Sequence, residues 1–315
     1  MKNYRLYIGA LFFSFIMIIF LNFNVSCGEE INYSHPIDFN RKFISYNLDY
    51  LFNSNVENFE QYIDILSSHQ MNYIRLWLIS TFWEWIPYKM VADGKYDLTQ
   101  FNNKLFEFMK QTISYANSKG VIVCLAIFDE CGLKKGKGRW EKNPWNAKNN
   151  VNGFIKNSWD GLPDFFRPEY IKYQYLLVDK VMEEFGDLNG VIFEVMNEGS
   201  GGYSWESKII KRLRDKGARC VLSSAYKDAE RIIPLVDFYS PHNMGSPEDV
   251  KKCKFKGEKI IYDNDGTRCK DVYKTAITAL KQGRGFAFLE CKPLDPKLIN
   301  YANLEALERA ILTIE

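Results

Sequence analysis

The chain has 315 residues, 46% of them hydrophobic and 25% charged, the composition of one large globular domain or two small ones, which excludes disorder, collagen and coiled coil. Its 41 Lys and Arg nearly balance 39 Asp and Glu, so no basic field exists to hold a polyanion, and nucleic acid is excluded as a partner class. Seven Trp, 19 Tyr and 23 Phe make up 16% of the chain, and flat apolar rings with polar edges are surfaces on which sugar rings stack, although a Tyr- and Phe-biased composition would give the same count.

In chain order, Lys2 and Arg5 precede an uncharged apolar run from Leu6 to Leu21. This has the order of a secretory signal and falls short of the ~20 residues a spanning helix prefers. Residues 1–26 are therefore read as a signal segment and 27–41 as a lead-in. Asn24-Val25-Ser26-Cys27 resembles a lipoprotein cleavage box, in which Cys27 would be acylated after cutting. That predicts an exported, cell-surface lipoprotein attached to a membrane through Cys27, with plain secretion and an uncleaved anchor as the alternatives. The other six cysteines show no close pairs of the kind that hold zinc, so no metal and no cofactor is expected. Cys124 and Cys131 are the closest-spaced candidates for a disulfide.

From residue 42 onward, short runs rich in Val, Ile, Phe and Tyr alternate with longer segments of helical period. The predicted strands are Lys42–Leu48, Tyr73–Ile79, Val121–Phe128, Gly190–Asn197, Ala218–Ser223, Asp237–His242, Lys259–Asp263 and Gly285–Glu290. The predicted helices are Val56–Gln70, Leu98–Lys119, Pro168–Phe185, Trp205–Lys216, Lys227–Ile232, Pro247–Lys252, Lys270–Gln282 and Leu304–Leu312. Asp97 has the side chain and position of an N-cap for the second of these. Eight strand–helix units match an α/β fold of the TIM, or (β/α)8, barrel type, as a single domain over residues 42–315. The rival doubly wound sheet would show a Gly-rich first turn, and no G-x-G-x-x-G follows the first strand.

One connection is out of scale. Residues 129–167 hold Trp140, Trp145, Trp159, glycines within Gly132–Gly138 and a cluster of basic residues. Loops that long are usually functional or disordered, and this one follows a strand, so it would lie over the C-terminal mouth of a barrel. The three tryptophans are candidate walls of a cleft, or else they pin the loop to the body.

The most informative string is Val191-Ile192-Phe193-Glu194-Val195-Met196-Asn197-Glu198-Gly199, an apolar strand ending abruptly in two polar groups. At a barrel rim, a carboxyl partly shielded from water has a raised pKa and can act as a general acid. The string resembles the strand-four signature of the retaining (β/α)8 glycoside hydrolases of cellulase and mannanase type. That resemblance implies Glu198 as the acid/base and Asn197 as the residue that holds the sugar 2-hydroxyl. Asn72-Tyr73-Ile74-Arg75-Leu76-Trp77 is similar to the clan's second strand, which implies that Arg75 orients the nucleophilic carboxylate. A charge near the end of an apolar strand independently requires such a partner. Ser240-Pro241-His242-Asn243 resembles the place of a substrate-binding His, which implies that role for His242.

At the clan's nucleophile position the pattern departs. Ile260-Ile261-Tyr262-Asp263-Asn264-Asp265-Gly266 contains no Glu, and an ungapped match puts Asn264 in the nucleophile's place. Asp265 or Asp263 is then the nucleophile, or one of them activates water in an inverting reaction, or catalysis is lost. Gly266 would let the chain bend close to a ligand beside Asp265, which favours Asp265. Glu290 stands where the clan often has a Trp, as a further acid in the cleft or as the partner of a rim cation. Asp129 ends the third strand, as a sugar-hydroxyl acceptor or a loop cap. The expected function is hydrolysis of a β-linked glycan by paired carboxylates, with carbohydrate as the partner. The alternative is a non-catalytic carbohydrate-binding barrel at the cell surface.

Overall fold

The computed structural model describes residues 38–50, 56–79, 86–134, 139–156, 161–265 and 268–314. The signal segment, Cys27, Trp159 and Gly266 lie outside them. Of Asp265, only the backbone is described.

Eight strands form the barrel: β1 (Phe43–Tyr50), β2 (Tyr73–Trp77), β3 (Ile122–Asp129), β4 (Val191–Asn197), β5 (Val221–Ser223), β6 (Phe238–Tyr239), β7 (Gly257–Asp265) and β8 (Gly283–Pro293). All neighbours are parallel, in the order β1-β8-β7-β6-β5-β4-β3-β2. The two ends of that series are joined largely by asparagine side chains. Asn72 accepts from Ile44 N–H through Oδ1 at 3.0 Å and donates its own N–H to Ile44 O at 3.1 Å, while Asn47 Oδ1 accepts Arg75 N–H at 3.0 Å. The result is the (β/α)8 barrel that the strand–helix alternation predicts.

Alternation along the strands divides the lumen into two tiers. The lower tier is apolar: Phe43, Tyr73, Ile122, Cys124, Ile192, Cys220, Leu222, Phe238, Ile261 and Ala287 pack as one buried cluster. Two residues further along several strands, the side chains turn polar, and Ser45, Arg75, Glu194, Ser224, Ser240 and Asp263 are buried there. The opposite faces of the strands pack against the ring of helices. Leu105, Phe106, Met109 and Ile113, predicted to share one face of the second helix, are all buried.

That helix starts later than expected. Tyr96–Phe101 is a strand, paired antiparallel with Tyr88–Met90, and the helix runs Asn103–Ser118 with Asn102 as its N-cap, accepting from Leu105 N–H. Leu98 is fully buried while Thr99 and Gln100 face solvent, and pairing with Tyr88–Met90 wins over helical propensity. Asp97 therefore caps no helix. Its carboxylate holds Thr99 N–H at 2.9 Å and Asn152 Nδ2 at 3.2 Å.

The long β3–β4 connection belongs to the core. Trp140 and Trp145 are each 1% exposed, and Trp145 meets Phe165 and Tyr88 edge to face at 5.1 and 6.1 Å. Buried Asn143, Asn146 and Asn150 donate to Gly132 O, Trp140 O and Pro144 O, which satisfies backbone that an irregular buried segment would leave unpaired. Trp145 is thus a packing residue and offers no open face to a sugar, contrary to the expectation of a cleft wall. The disulfide between Cys124 and Cys131 is also absent, and both thiols are free. At about 3.3 Å of rise per residue the strand carries Cys124 deep into the lumen and Cys131 to the rim, far beyond the ~7 Å limit between bridged Cα atoms.

Candidate active site

At the C-terminal mouth, Arg75 is the centre of a buried polar cluster. Its guanidinium is 2% exposed and grips Glu194 on β4 in bidentate fashion, Nε to Oε2 at 3.0 Å and Nη2 to Oε1 at 2.7 Å. Nη1 donates to Asp263 Oδ2 on β7, and Nη2 to Asn197 Oδ1 at 2.9 Å. Burial alone would weaken so enclosed a cation, but Glu194 and then Asp263 hold its pKa well above the ordinary value. The carboxylate that Arg75 was expected to require is therefore two carboxylates. Glu194 lies within the string Val191–Gly199, where a single Glu inside an apolar strand has the look of an interruption in the pattern. Its signal is a charged residue at the lumen-facing period of a buried strand.

Asn197, 8% exposed, is fixed at both ends of its amide, since Nδ2 also donates to Asp129 Oδ1 at 3.0 Å. Asp129 is the N-cap of the short helix Glu130–Leu133, accepting from Cys131 and Gly132 N–H at 3.2 and 3.1 Å. Burial lifts its pKa to about 6 in spite of these donors. Both readings of Asp129, cap and polar group of the cleft, thus meet in one side chain.

Glu198 leaves the end of β4 in a left-handed backbone conformation, φ +54°, with its N–H on Ser224 Oγ at 3.1 Å. Its side chain is 28% exposed and meets three groups. His242 Nδ1 is 3.6 Å from Oε1, Tyr226 donates to Oε1 at 3.2 Å, and the Cys131 thiol donates to Oε2 at 3.2 Å. His242 draws the Glu198 pKa down to about 2, against the opposing effect of burial. The sign is opposite to the raised value expected of a shielded carboxyl, because a cationic partner outweighs desolvation.

His242 faces carboxylates with both nitrogens. Nε2 is 3.4 Å from Asp263 Oδ2, and the ring is 9% exposed. Burial disfavours its charge, yet Asp263 and Glu198 prevail and raise its pKa above 6.5. Arg75 opposes and Glu194 supports that rise. The pair Glu198 and His242 thus holds a proton, resting on the ring.

Asp263 and Asn264 point opposite ways. Asp263, 4% exposed, turns into the lumen with Ile261, whereas Asn264 is fully buried on the other side of β7. The residue that the ungapped match puts in the nucleophile's place is therefore turned away, and the carboxylate on Arg75 is that of its neighbour. Glu290 also points outward from β8. It accepts from Tyr46 Oη and pairs with Lys292 at 2.5 Å, so it is the partner of a rim cation and not a third acid of the cleft.

Besides Glu194, three residues outside the predicted set reach the site: Tyr226, half exposed beside Glu198, Cys131, and Glu130, which accepts Ser200 N–H at 2.5 Å and ties the β3 and β4 loops together. None has a local sequence signal: Tyr226 is placed by the loop after β5, and Glu130 and Cys131 by the short helix after β3. Among the described residues no group of three or more His, Cys, Asp or Glu is arranged to hold a metal ion.

Comparison with solved structures returns barrels of this kind at low identity. The endo-1,4-beta-mannanase of Rhizomucor miehei aligns over 87% of this chain and 94% of its own with 12% identity and a TM-score of 0.55. The beta-mannanase of the blue mussel Mytilus edulis aligns over 86% and 91% with 13% identity and a TM-score of 0.54. The endo-beta-1,4-mannanase of Thermotoga petrophila aligns over 86% and 76% with 12% identity and a TM-score of 0.56. No curated protein sequence matches the chain. The family model for cellulase (glycosyl hydrolase family 5) matches residues 34–255, covering β1 to β6 and ending two residues before β7, where the pattern departs. With the barrel complete and Arg75, Asn197 and Glu198 joined at its mouth within that stretch, the chain belongs to glycosyl hydrolase family 5 and is a glycosidase.

Proposed function

We propose that the chain hydrolyses a β-linked polysaccharide or oligosaccharide, with Glu198 as the proton donor to the leaving oxygen and Asp263 as the second carboxylate. The observation that supports this reading is the convergence of two acids from distant strands on the two nitrogens of one histidine, at 3.6 and 3.4 Å. Asn197 has one amide hydrogen left for a sugar hydroxyl after its bond to Asp129, and Tyr226 presents a half-exposed ring beside Glu198. The structural neighbours act on β-1,4-mannan by their names, so mannan and β-1,4-glucan backbones are the substrates of choice. Export, and acylation at Cys27, belong to the same proposal, since a polymer of this kind is met outside the cell.

The test is an activity screen on plant and microbial glycans with Glu198→Gln and Asp263→Asn alongside wild type. Each variant is expected to lose about 10²–10⁴-fold in kcat while glycan binding persists, the usual worth of a positioned acid or base. Wild type that binds glycan yet is as silent as both variants would establish a carbohydrate-binding barrel instead, a reading favoured by Asn264 standing where the ungapped match puts a nucleophile.

A further inference from the structure

We propose that Cys131 is a positioning residue of the acid/base: its thiol fixes the rotation of the Glu198 carboxyl and helps that group to give up its proton. The proposal rests on the hydrolase reading above and concerns a side chain to which the family resemblance gives no role. A glutamate carboxyl turns about its last torsion in a broad, roughly two-fold well, so a hydrogen bond to one oxygen leaves its plane loose. At the barrel mouth the two oxygens are held separately. Tyr226 donates to Oε1 at 3.2 Å and His242 Nδ1 lies 3.6 Å from the same atom. Among the described residues the donor to Oε2 is Cys131 Sγ, at 3.2 Å. Without that second anchor the carboxyl would pivot about Oε1, and its lone pairs would lose their bearing on a glycosidic oxygen.

The backbone that carries the sulfur is locked. Asp129 Oδ1 accepts Cys131 N–H at 3.2 Å and Oδ2 accepts Gly132 N–H at 3.1 Å, so the short helix Glu130–Leu133 starts from a fixed point. Buried Glu130 accepts Ser200 N–H at 2.5 Å, just beyond Glu198 in the chain, and pairs with Lys134 at 2.7 Å. From the long β3–β4 connection, Asn143 Nδ2 donates to Gly132 O at 2.9 Å. The Asp129 oxygen that receives Cys131 N–H also receives Asn197 Nδ2, at 3.0 Å. One carboxylate therefore sets both the thiol that meets Glu198 and the amide next to Glu198 in the chain. The thiol also stays a donor. Burial, Asp129 and Glu198 push its pKa far above the ordinary value, so the hydrogen is retained and the sulfur is no nucleophile, which suits an anchor and not a covalent or redox centre. A hydrogen bond to the charged form of a carboxyl favours that form, so S–H on Oε2 makes Glu198 the stronger acid as it releases its proton to the leaving oxygen.

The experiment is steady-state kinetics across pH with the full chain and a soluble glycan that wild type turns over, on Cys131→Ala, Cys131→Val and Cys131→Ser, each checked for folding by urea denaturation. Glu198 is faced by His242, Cys131, Lys134, Tyr226 and Asp129, and of these only Cys131 changes. Cys131→Ala and Cys131→Val are expected to lose about 10–100-fold in kcat, the cost of a misplaced group. Their KM is expected to stay within about twofold, since the lost contact is with Glu198 and not with substrate. The alkaline limb of kcat/KM is expected to rise above that of wild type, because a carboxylate deprived of a donor holds its proton more tightly. Cys131→Ser keeps a donor on a shorter bond and is expected to recover part of both effects. A kcat that does not fall, a limb that does not rise, or Cys131→Ser no better than Cys131→Ala overturns the proposal. So does failure of both the Ala and the Val variant to fold, the behaviour of a packing residue. In each of these cases an active wild type leaves the hydrolase reading intact, whereas a wild type silent on every glycan overturns both.

Discussion

Arg75 is held by four oxygen atoms from three side chains, and the consequence of removing it follows from what it would leave behind. Glu194 and Asp263 would be two buried carboxylates without a cation. Arg75→Met is expected to lose about 3–5 kcal/mol of unfolding free energy at neutral pH, measured by urea denaturation, with the loss shrinking in acid as the orphaned carboxyls take up protons. The charge state of the site is set one step further out. His242 is faced by Glu198, Asp263, Arg75, Glu194 and the Tyr226 ring, and the two carboxylates it touches keep its proton on the ring above the ordinary 6.5. Turnover needs that proton for the leaving group. The alkaline limb of kcat/KM, measured across pH with a soluble substrate, is therefore expected above pH 6.5, and a limb near pH 4–5 would mean that Glu198 titrates alone. At this scale the sequence was informative where a polar residue interrupts an apolar strand, as Arg75 and Asn197 do. On the second carboxylate the sequence leaned to Asp265 through Gly266, whereas the partners of Asp263, Arg75 and His242, come from other strands and leave no local mark.

Elements explain where the remaining strain of charge is stored. The helix Tyr203–Asp215 packs Glu206 against β5, where it accepts from Ser223 Oγ, while its second oxygen has no partner among the described residues. Burial raises its pKa to about 7. A carboxyl whose folded pKa lies above its unfolded value of 4.5 contributes stability that is complete below pH 4.5 and is lost as pH rises through 7. Glu206→Gln abolishes this dependence. Its stability relative to wild type is expected to improve by about 2–3 kcal/mol between pH 4 and pH 8, read from denaturant midpoints at each pH. The elements themselves were mostly legible, since strand and helix periods differ. The hairpin Tyr88–Phe101 was not, because Leu98 to Phe101 reads equally as the first turn of the helix that follows. The burial of Trp140 and Trp145 was equally hidden, since an aromatic residue in a loop has the same pattern whether it faces a cleft or a core.

In the molecule as a whole, the alternation of eight short apolar runs with longer amphipathic ones, with no Gly-rich first turn to favour a doubly wound sheet, was enough to point to the barrel. The division of its lumen sets what can vary. Ten side chains of the lower tier form an apolar cluster of their own beneath the polar residues of the mouth. Residues of the mouth, such as Asp263 on the lumen face of β7, are carried above that cluster and are not part of it. New reaction courses in such an architecture need not await new folds, and laboratory selection for them is best aimed at the upper ring alone.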